Sequence, residues 1–252
     1  MNSEKSLPAA CLPAGRARQA VVLLSGGLDS ATVLYFARSI GFKCFCLIFD
    51  YGQRHRRELA SAKAVARRAK CAYEIVKIKL PWGGSSLLDK KLALGVNEPV
   101  NAKGIIQTGK RKLVSGYQDI PDTYVPARNI IFLSFALSYA EAIGAKAIFI
   151  GAHAQDYSGY PDCRPGFFRA FRNMARFGTK AGIENKSIRI LAPLLHKNKA
   201  QIIRLGKKLG VSFELTWSCY RGGRLPCRAC DSCYYRAKGF REAGFKDPAL
   251  KR

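Results

Sequence analysis

The sequence predicts an α/β fold: a doubly wound, mostly parallel sheet with a small metal-binding module at its C-terminus. Three observations predict it. Short apolar runs alternate with helix-spaced segments over most of the chain; a Gly-rich loop joins the first such run to the first helix; and four of nine cysteines crowd between Cys219 and Cys233. Alternating strands and helices bury both sheet faces and demand right-handed crossovers. Ligands of such sheets sit beyond the carboxyl ends of the strands.

Taken in order, Ala20 to Leu24 (AVVLL) is a continuous apolar run, as in a strand covered on both faces. Ser30 to Ile40 has helical apolar spacing at Val33, Leu34 and Ala37, and Gly41 stops it. Cys44 to Phe49 is a second strand, and Arg57 to Arg68 an Ala-rich helix. Alternation from Ile75 to Leu80 predicts a strand with one wetter face. Residues 81–124, rich in Gly, Lys and Pro, read as a long excursion or lid. Asn129 to Ile143 is a helix, Ala147 to Ile150 a strand, Gly166 to Ala181 a helix, Ile188 to Leu191 a strand and Lys199 to Leu209 a helix. The expected division is a tail at residues 1–19, an α/β domain at 20–217 and a cysteine module at 218–252.

Composition narrows the class. A chain of 252 residues with 48% hydrophobic content buries one substantial core. No apolar run reaches the roughly 18 residues of a membrane span, and the N-terminal stretch lacks a signal-peptide core, so a cytoplasmic protein is expected. The balance of 43 basic against 17 acidic residues gives +26, a field that attracts polyanions. Yet the excess is spread: nine basic and two acidic residues from Arg54 to Lys79, fourteen and four from Lys197 to Arg252. Nucleic-acid binding is possible on this ground but not favoured.

Five motifs carry chemistry. SGGLDS (Ser25 to Ser30) lies between strand and helix, where Gly26 and Gly27 admit close backbone approach and the helix start aims N–H groups at an anion. It has no Walker A lysine, and Asp29 fits such a site as a helix cap or as a magnesium ligand. YGQRHRRE (Tyr51 to Glu58) follows the second strand; Tyr51, Gln53 and His55 are its candidate ligand contacts, whereas Arg56 and Arg57 read as a solvated helix start. VPARN (Val125 to Asn129) opens a helix: Arg128, disfavoured at a helix N-terminus, calls for an anion, and Asn129 is also a plausible cap. GAHAQDYSGYPDCR (Gly151 to Arg164) follows a strand. Asp156 or Asp162 can accept hydrogen bonds from a guanine-like base, Tyr157 or Tyr160 can stack on it, and His153 is as well read as structural as catalytic. Last, Cys219, Cys227, Cys230 and Cys233 have the spacing of a tetrahedral thiolate site; zinc is the reading preferred over an iron–sulfur cluster or free thiols.

SGGLDS after a strand resembles the PP-loop of ATP pyrophosphatases. The five motifs together, with DYSGYPDCR and SCY…PC..CDSC the most specific, resemble the 7-cyano-7-deazaguanine synthase family from about Ala20 to Pro248. That resemblance implies an adenine nucleotide alpha hydrolase-like fold. It implies conversion of 7-carboxy-7-deazaguanine, ammonia and ATP to the nitrile through adenylated acid and amide, for queuosine or archaeosine biosynthesis. Magnesium, one structural zinc per protomer and a homodimer are implied with it. Carried over by position, ATP would meet Leu24, Ser25, Gly26, Gly27, Leu28, Asp29, Ser30, Ala31, Thr32, Val33 and Leu34. Lys199 matches a family lysine and joins Ser25 and Asp29 as catalytic candidates. Arg228 departs from the family, where Gly is expected. A PP-loop enzyme adenylating a base within transfer RNA is the alternative, and a non-catalytic zinc protein binding nucleic acid a more distant one.

Overall fold

In a computed structural model, the described residues are 18–89, 91, 120–153 and 160–251. Five strands form one parallel sheet: β1 (Gln19–Leu23), β2 (Lys43–Asp50), β3 (Ala72–Lys77), β4 (Ala147–Phe149) and β5 (Arg189–Leu191), in the order β3-β2-β1-β4-β5. The order reverses at β1, whose Val22 pairs with Cys46 of β2 on one side and Phe149 of β4 on the other. That is the switch point at which doubly wound sheets bind ligands.

Alternation along β1 explains its unbroken apolar run. Ala20, Val22 and Leu24 enter one core, while Val21 and Leu23 enter the other. The first core is filled by α1 (Leu28–Ser39), α2 (Arg57–Arg68), α6 (Lys199–Lys208) and α7 (Asp231–Ala243). The second is filled by α3 (Arg128–Ala142) and α4 (Pro165–Gly178). At β1 both faces of the sheet are therefore dry. No helix among the described residues is long and apolar enough to cross a membrane.

Three boundaries differ from expectation for local reasons. Helix α1 starts at Leu28, so Asp29 and Ser30 belong to its first turn. Strand β3 starts at Ala72 and ends at Lys77, because its register is set by pairing from Phe45 to Asp50 of β2. The helix expected from Gly166 to Ala181 breaks at Thr179, whose hydroxyl accepts from Gly182 N–H at 3.0 Å and caps the short α5 (Lys180–Ile183). Most of the excursion at 81–124, and most of the N-terminal tail, lies outside the described residues. The two ends of the excursion meet, Ser86 N–H donating to Asp122 O at 2.9 Å.

The C-terminal segment is fastened by a buried cation. Arg236 on α7, 5% exposed, donates to both Asp247 oxygens at 2.8 and 3.0 Å and also reaches Thr216, Ser218 and the Phe213 carbonyl. Buried charges persist only when paired and hydrogen-bonded in this way.

Candidate active site

The loop after β1 has an exposed rim and a buried base. Ser25 is exposed; its Oγ lies 3.0 Å from Ser30 Oγ and accepts from Gly27 N–H at 3.3 Å. Ser30, 5% exposed, donates to Gly27 O and accepts from Ser25 N–H, so its hydroxyl shapes the loop from within. Gly26 has φ +84° and lies where a Cβ would meet the Glu58 carbonyl and Ala62 N at the start of α2. Only glycine combines that conformation with that approach. The side chains of Leu24, Leu28, Ala31, Val33 and Leu34 belong to the core, and Thr32 is buried with its hydroxyl on Leu28 O at 2.8 Å. Along Leu24 to Leu34, then, a ligand can be offered the loop backbone, Ser25 and Asp29.

Asp29 does not cap α1, which has no side-chain cap. Its carboxylate is instead gripped by Lys199 Nζ at 2.9 and 3.1 Å, with His153 Nε2 at 3.8 Å; Lys199 and His153 are 2.9 Å apart. Lys199 opens α6, fixed by a capping box of Asn198 and Gln201. A Cβ on Gly239 of α7 would collide with Lys199 Cγ, so glycine there leaves room for the lysine stem. His153 is 2% exposed and follows β4. Three loops at one sheet edge thus bring a cation, an anion and an imidazole together. The sequence left His153 open between a structural and a catalytic role, because its partner Lys199 lies 46 positions further on.

Beyond β2, Tyr51 is buried and its hydroxyl accepts from Arg128 Nη1 at 3.4 Å. Burial raises the Tyr51 pKa, against the pull of Arg128. Gln53 braces the turn, its Oε1 accepting from Tyr51 N–H at 2.9 Å and its Nε2 donating to Phe49 O at 3.3 Å. Both ends of that amide brace the turn and hold Tyr51. Arg57 is exposed, as expected of a solvated helix start, and it also donates to Arg224 O at 2.6 Å and lies over the Trp217 ring at 4.7 Å, tying α2 to the cysteine module.

The start of α3 is capped from outside. Its N-cap is Ala127, with φ 54° and no polar side chain. Asp162 Oδ2 takes the Asn129 N–H at 3.0 Å instead, while Asn129 Nδ2 donates to Asp162 O at 3.2 Å and to Cys163 Sγ at 3.3 Å. Asn129 is therefore a latch inside the helix rather than its cap, and it joins α3 to the turn Pro161–Cys163. Burial raises the Asp162 pKa, opposed by these hydrogen bonds and by Arg128. Asp156 and Tyr157 lie outside the described residues. Glu58, absent from the expected ligands, belongs here: burial pushes its pKa up to about 7, with Arg128 opposing. It was hidden because an acid at a helix start reads as a surface residue.

In the module, the four cysteine sulfurs lie within 4.8 Å of one another, and those of Cys227 and Cys233 are 3.9 Å apart. A tetrahedral ion with metal–sulfur bonds of about 2.3 Å sets its sulfurs about 3.8 Å apart. Backbone N–H groups of Arg221 and Cys227 reach Cys219 Sγ, and that of Cys230 reaches Cys227 Sγ, at 3.3–3.4 Å. Hydrogen bonds from Cys230 and Cys233 lower the Cys219 pKa. This donor set fits a metal ion. Trp217 couples it to the loop after β1: its N–H donates to Gly26 O at 2.9 Å and its Nε1 to Cys219 O at 2.8 Å. Arg228, between the cysteines, has φ 59°, which explains why glycine is expected there.

Two substitutions test this geometry. Gly239→Ala should displace Lys199 and lower kcat/KM for ATP on the order of 10- to 100-fold without loss of fold; an unchanged value would mean that the lysine position does not matter. Arg228→Gly should remove a left-handed strain of about 1 kcal/mol, seen as a higher urea midpoint and slower metal loss to a chelator. A lower midpoint would contradict it.

Residues 19–244 match the family described as Queuosine biosynthesis protein QueC. The 7-cyano-7-deazaguanine synthase of Trichormus variabilis is 51% identical over 91% of this chain and 96% of its own length. That of Thermoplasma volcanium is 48% identical over 92% and 90%. Among solved structures, NMN synthetase from Francisella tularensis aligns at 14% identity and a TM-score of 0.46, over 93% of this chain and 81% of that one. With a family match across nearly the whole chain and relatives near half identity, this chain belongs to the QueC family, whose curated relatives here are 7-cyano-7-deazaguanine synthases.

Proposed function

We propose that the protein is a carbon–nitrogen ligase that converts 7-carboxy-7-deazaguanine and ammonia to 7-cyano-7-deazaguanine at the cost of ATP, releasing AMP and pyrophosphate. The observation that carries the reading is the Asp29–Lys199 pair set against the Ser25–Gly27 loop, with Tyr51, Glu58 and Arg128 beside it. ATP phosphates take the loop backbone and Ser25, and Lys199 offsets their charge. Magnesium enters with ATP, and Asp29 is the acid the loop offers it. Donors preorganised around the departing pyrophosphate act where charge develops. Arg128, held by Tyr51, matches the substrate carboxylate, and the loop containing Asp156 and Tyr157 takes the base. Asp162 serves indirectly, by capping α3 and so placing Arg128.

In the first round the acid oxygen is adenylated and ammonia displaces AMP to give the amide. In the second the amide oxygen is adenylated, and loss of AMP and a proton leaves the nitrile. One phosphate cradle serves both rounds because the base stays anchored while its side group changes.

The cysteine module at residues 218–252 holds one zinc per protomer, all four positions filled by protein, so the ion organises the tail and does not activate water. Its place in the reaction is to steady Trp217 and, through it, Gly26. A homodimer is the assembly we favour: Met174 and Phe177 share a face of α4, and with Ile183 they are 46%, 72% and 70% exposed.

The test is AMP and nitrile formation from acid, ammonium and magnesium ATP, with a metal assay of the same preparation. Ser25→Ala and Asp29→Ala should lower AMP formation at least about 100-fold with little change in thermal stability, and zinc should be found in equimolar amount. Near-normal turnover in both variants, turnover only with transfer RNA, or iron with sulfide would contradict the reading.

A further inference from the structure

Next to the site lies a cavity with about 10 Å³ of room, lined by Tyr51, Gln53, Arg54, His55, Glu58 and Tyr220, with Leu87 at its edge. A volume of that order holds one water-sized molecule, provided the walls offer polar partners. One partner is waiting: His55 Nδ1 is buried and makes no hydrogen bond within the protein. An imidazole nitrogen there can accept or donate according to the tautomer. Glu58 supplies a carboxyl group on the same wall.

The placement is as informative as the lining. The Glu58 backbone carbonyl is what a Cβ on Gly26 would strike, so the start of α2 packs against the loop after β1. Arg128 and Tyr51 interact with Glu58 and with each other. The cavity thus shares Tyr51 and Glu58 with the surroundings of Arg128, to which the reading above gives the substrate carboxylate. A ligand there must be small, must donate hydrogen bonds and gains from being cationic.

We propose that this cavity is the ammonium site and that Glu58 takes the proton which converts ammonium to the nucleophile. The inference rests on the ligase reading above. Ammonium gives one proton to the Glu58 carboxylate, freeing a nitrogen lone pair. That pair forms the C–N bond at the adenylated carboxyl carbon, the C–O bond to AMP breaks, and AMP leaves with the bonding electrons. The tetrahedral nitrogen then sheds a second proton to solvent, leaving the neutral amide. Burial makes Glu58 a stronger base than a solvated carboxylate, and an incoming cation offsets the cost of ionising it there. Ammonia enters the chemistry in the acid-to-amide round alone, so the cavity should matter in that round alone.

That asymmetry supplies the experiment. Glu58→Gln keeps the shape, and Leu87→Phe narrows the cavity from its apolar edge without touching a polar group. For each, three rates are measured: ATP–pyrophosphate exchange supported by the acid, ammonium-dependent amide formation, and nitrile formation from the amide supplied directly. Both variants should raise the KM for ammonium at least tenfold, and Glu58→Gln should also lower kcat for the amide-forming round. Exchange and amide-to-nitrile conversion should stay within about threefold of the parent in Leu87→Phe; in Glu58→Gln both should fall less than amide formation does, and Glu58→Asp should restore part of the loss. An unchanged ammonium KM in both variants, or equal loss in all three rates, overturns the proposal. Absence of acid-dependent exchange in the parent protein would instead overturn the ligase reading, and this inference with it.

Discussion

The site is organised around one ion pair, Lys199 to Asp29, closed at 2.9 Å between residues 170 positions apart. Neither member is fully buried, at 15% and 21% exposure, so the pair is partly desolvated and held by its surroundings. Asp29 gains from the first turn of α1, where a helix favours negative charge. Lys199 is steered by the capped start of α6 and by the absence of a side chain at Gly239. The pair keeps a cation at the phosphate loop, and an arriving anion can recruit it with little rearrangement. The loop carries no lysine of its own, and the fold brings Lys199 to it from 170 positions along the chain.

The same logic makes the cysteine module part of the site. Trp217 donates its backbone N–H to Gly26 and its indole N–H to Cys219, so the metal cluster and the phosphate loop share a residue. Arg57 stacks on that indole and reaches Arg224, closing a second link through α2. A shift in the cluster is thereby transmitted to the loop through Trp217.

What was legible in the sequence was what local physics decides. The apolar runs of β1 and β2, the Ala-rich α2 from Arg57 to Arg68, and the convergence of four cysteines followed from period and spacing alone. What was not legible depended on partners distant in the chain. Nothing near Asn129 says that Asp162 will cap its helix, because the residue that should cap, Ala127, has no side chain to do so. Gln53 read as a ligand contact because its brace to Phe49 and Tyr51 exists only once β2 ends in a turn. Glu58 looked ordinary, and the role of His153 stayed open, for the same reason: their environments are assembled by β1, α3 and α6. The resemblance to a known family covered the fold and the family, and left the division of labour among these residues to the geometry.

A single adenylating centre that acts twice on one anchored base is the central claim, and nucleotide stoichiometry addresses it most directly. AMP formed per nitrile is to be counted by mass spectrometry, starting once from the acid with ammonium and once from the amide without it. The account predicts two AMP per nitrile from the acid and one from the amide, both lost together in Asp29→Ala. An inert amide, or equal AMP per nitrile from the two starting compounds, would contradict it.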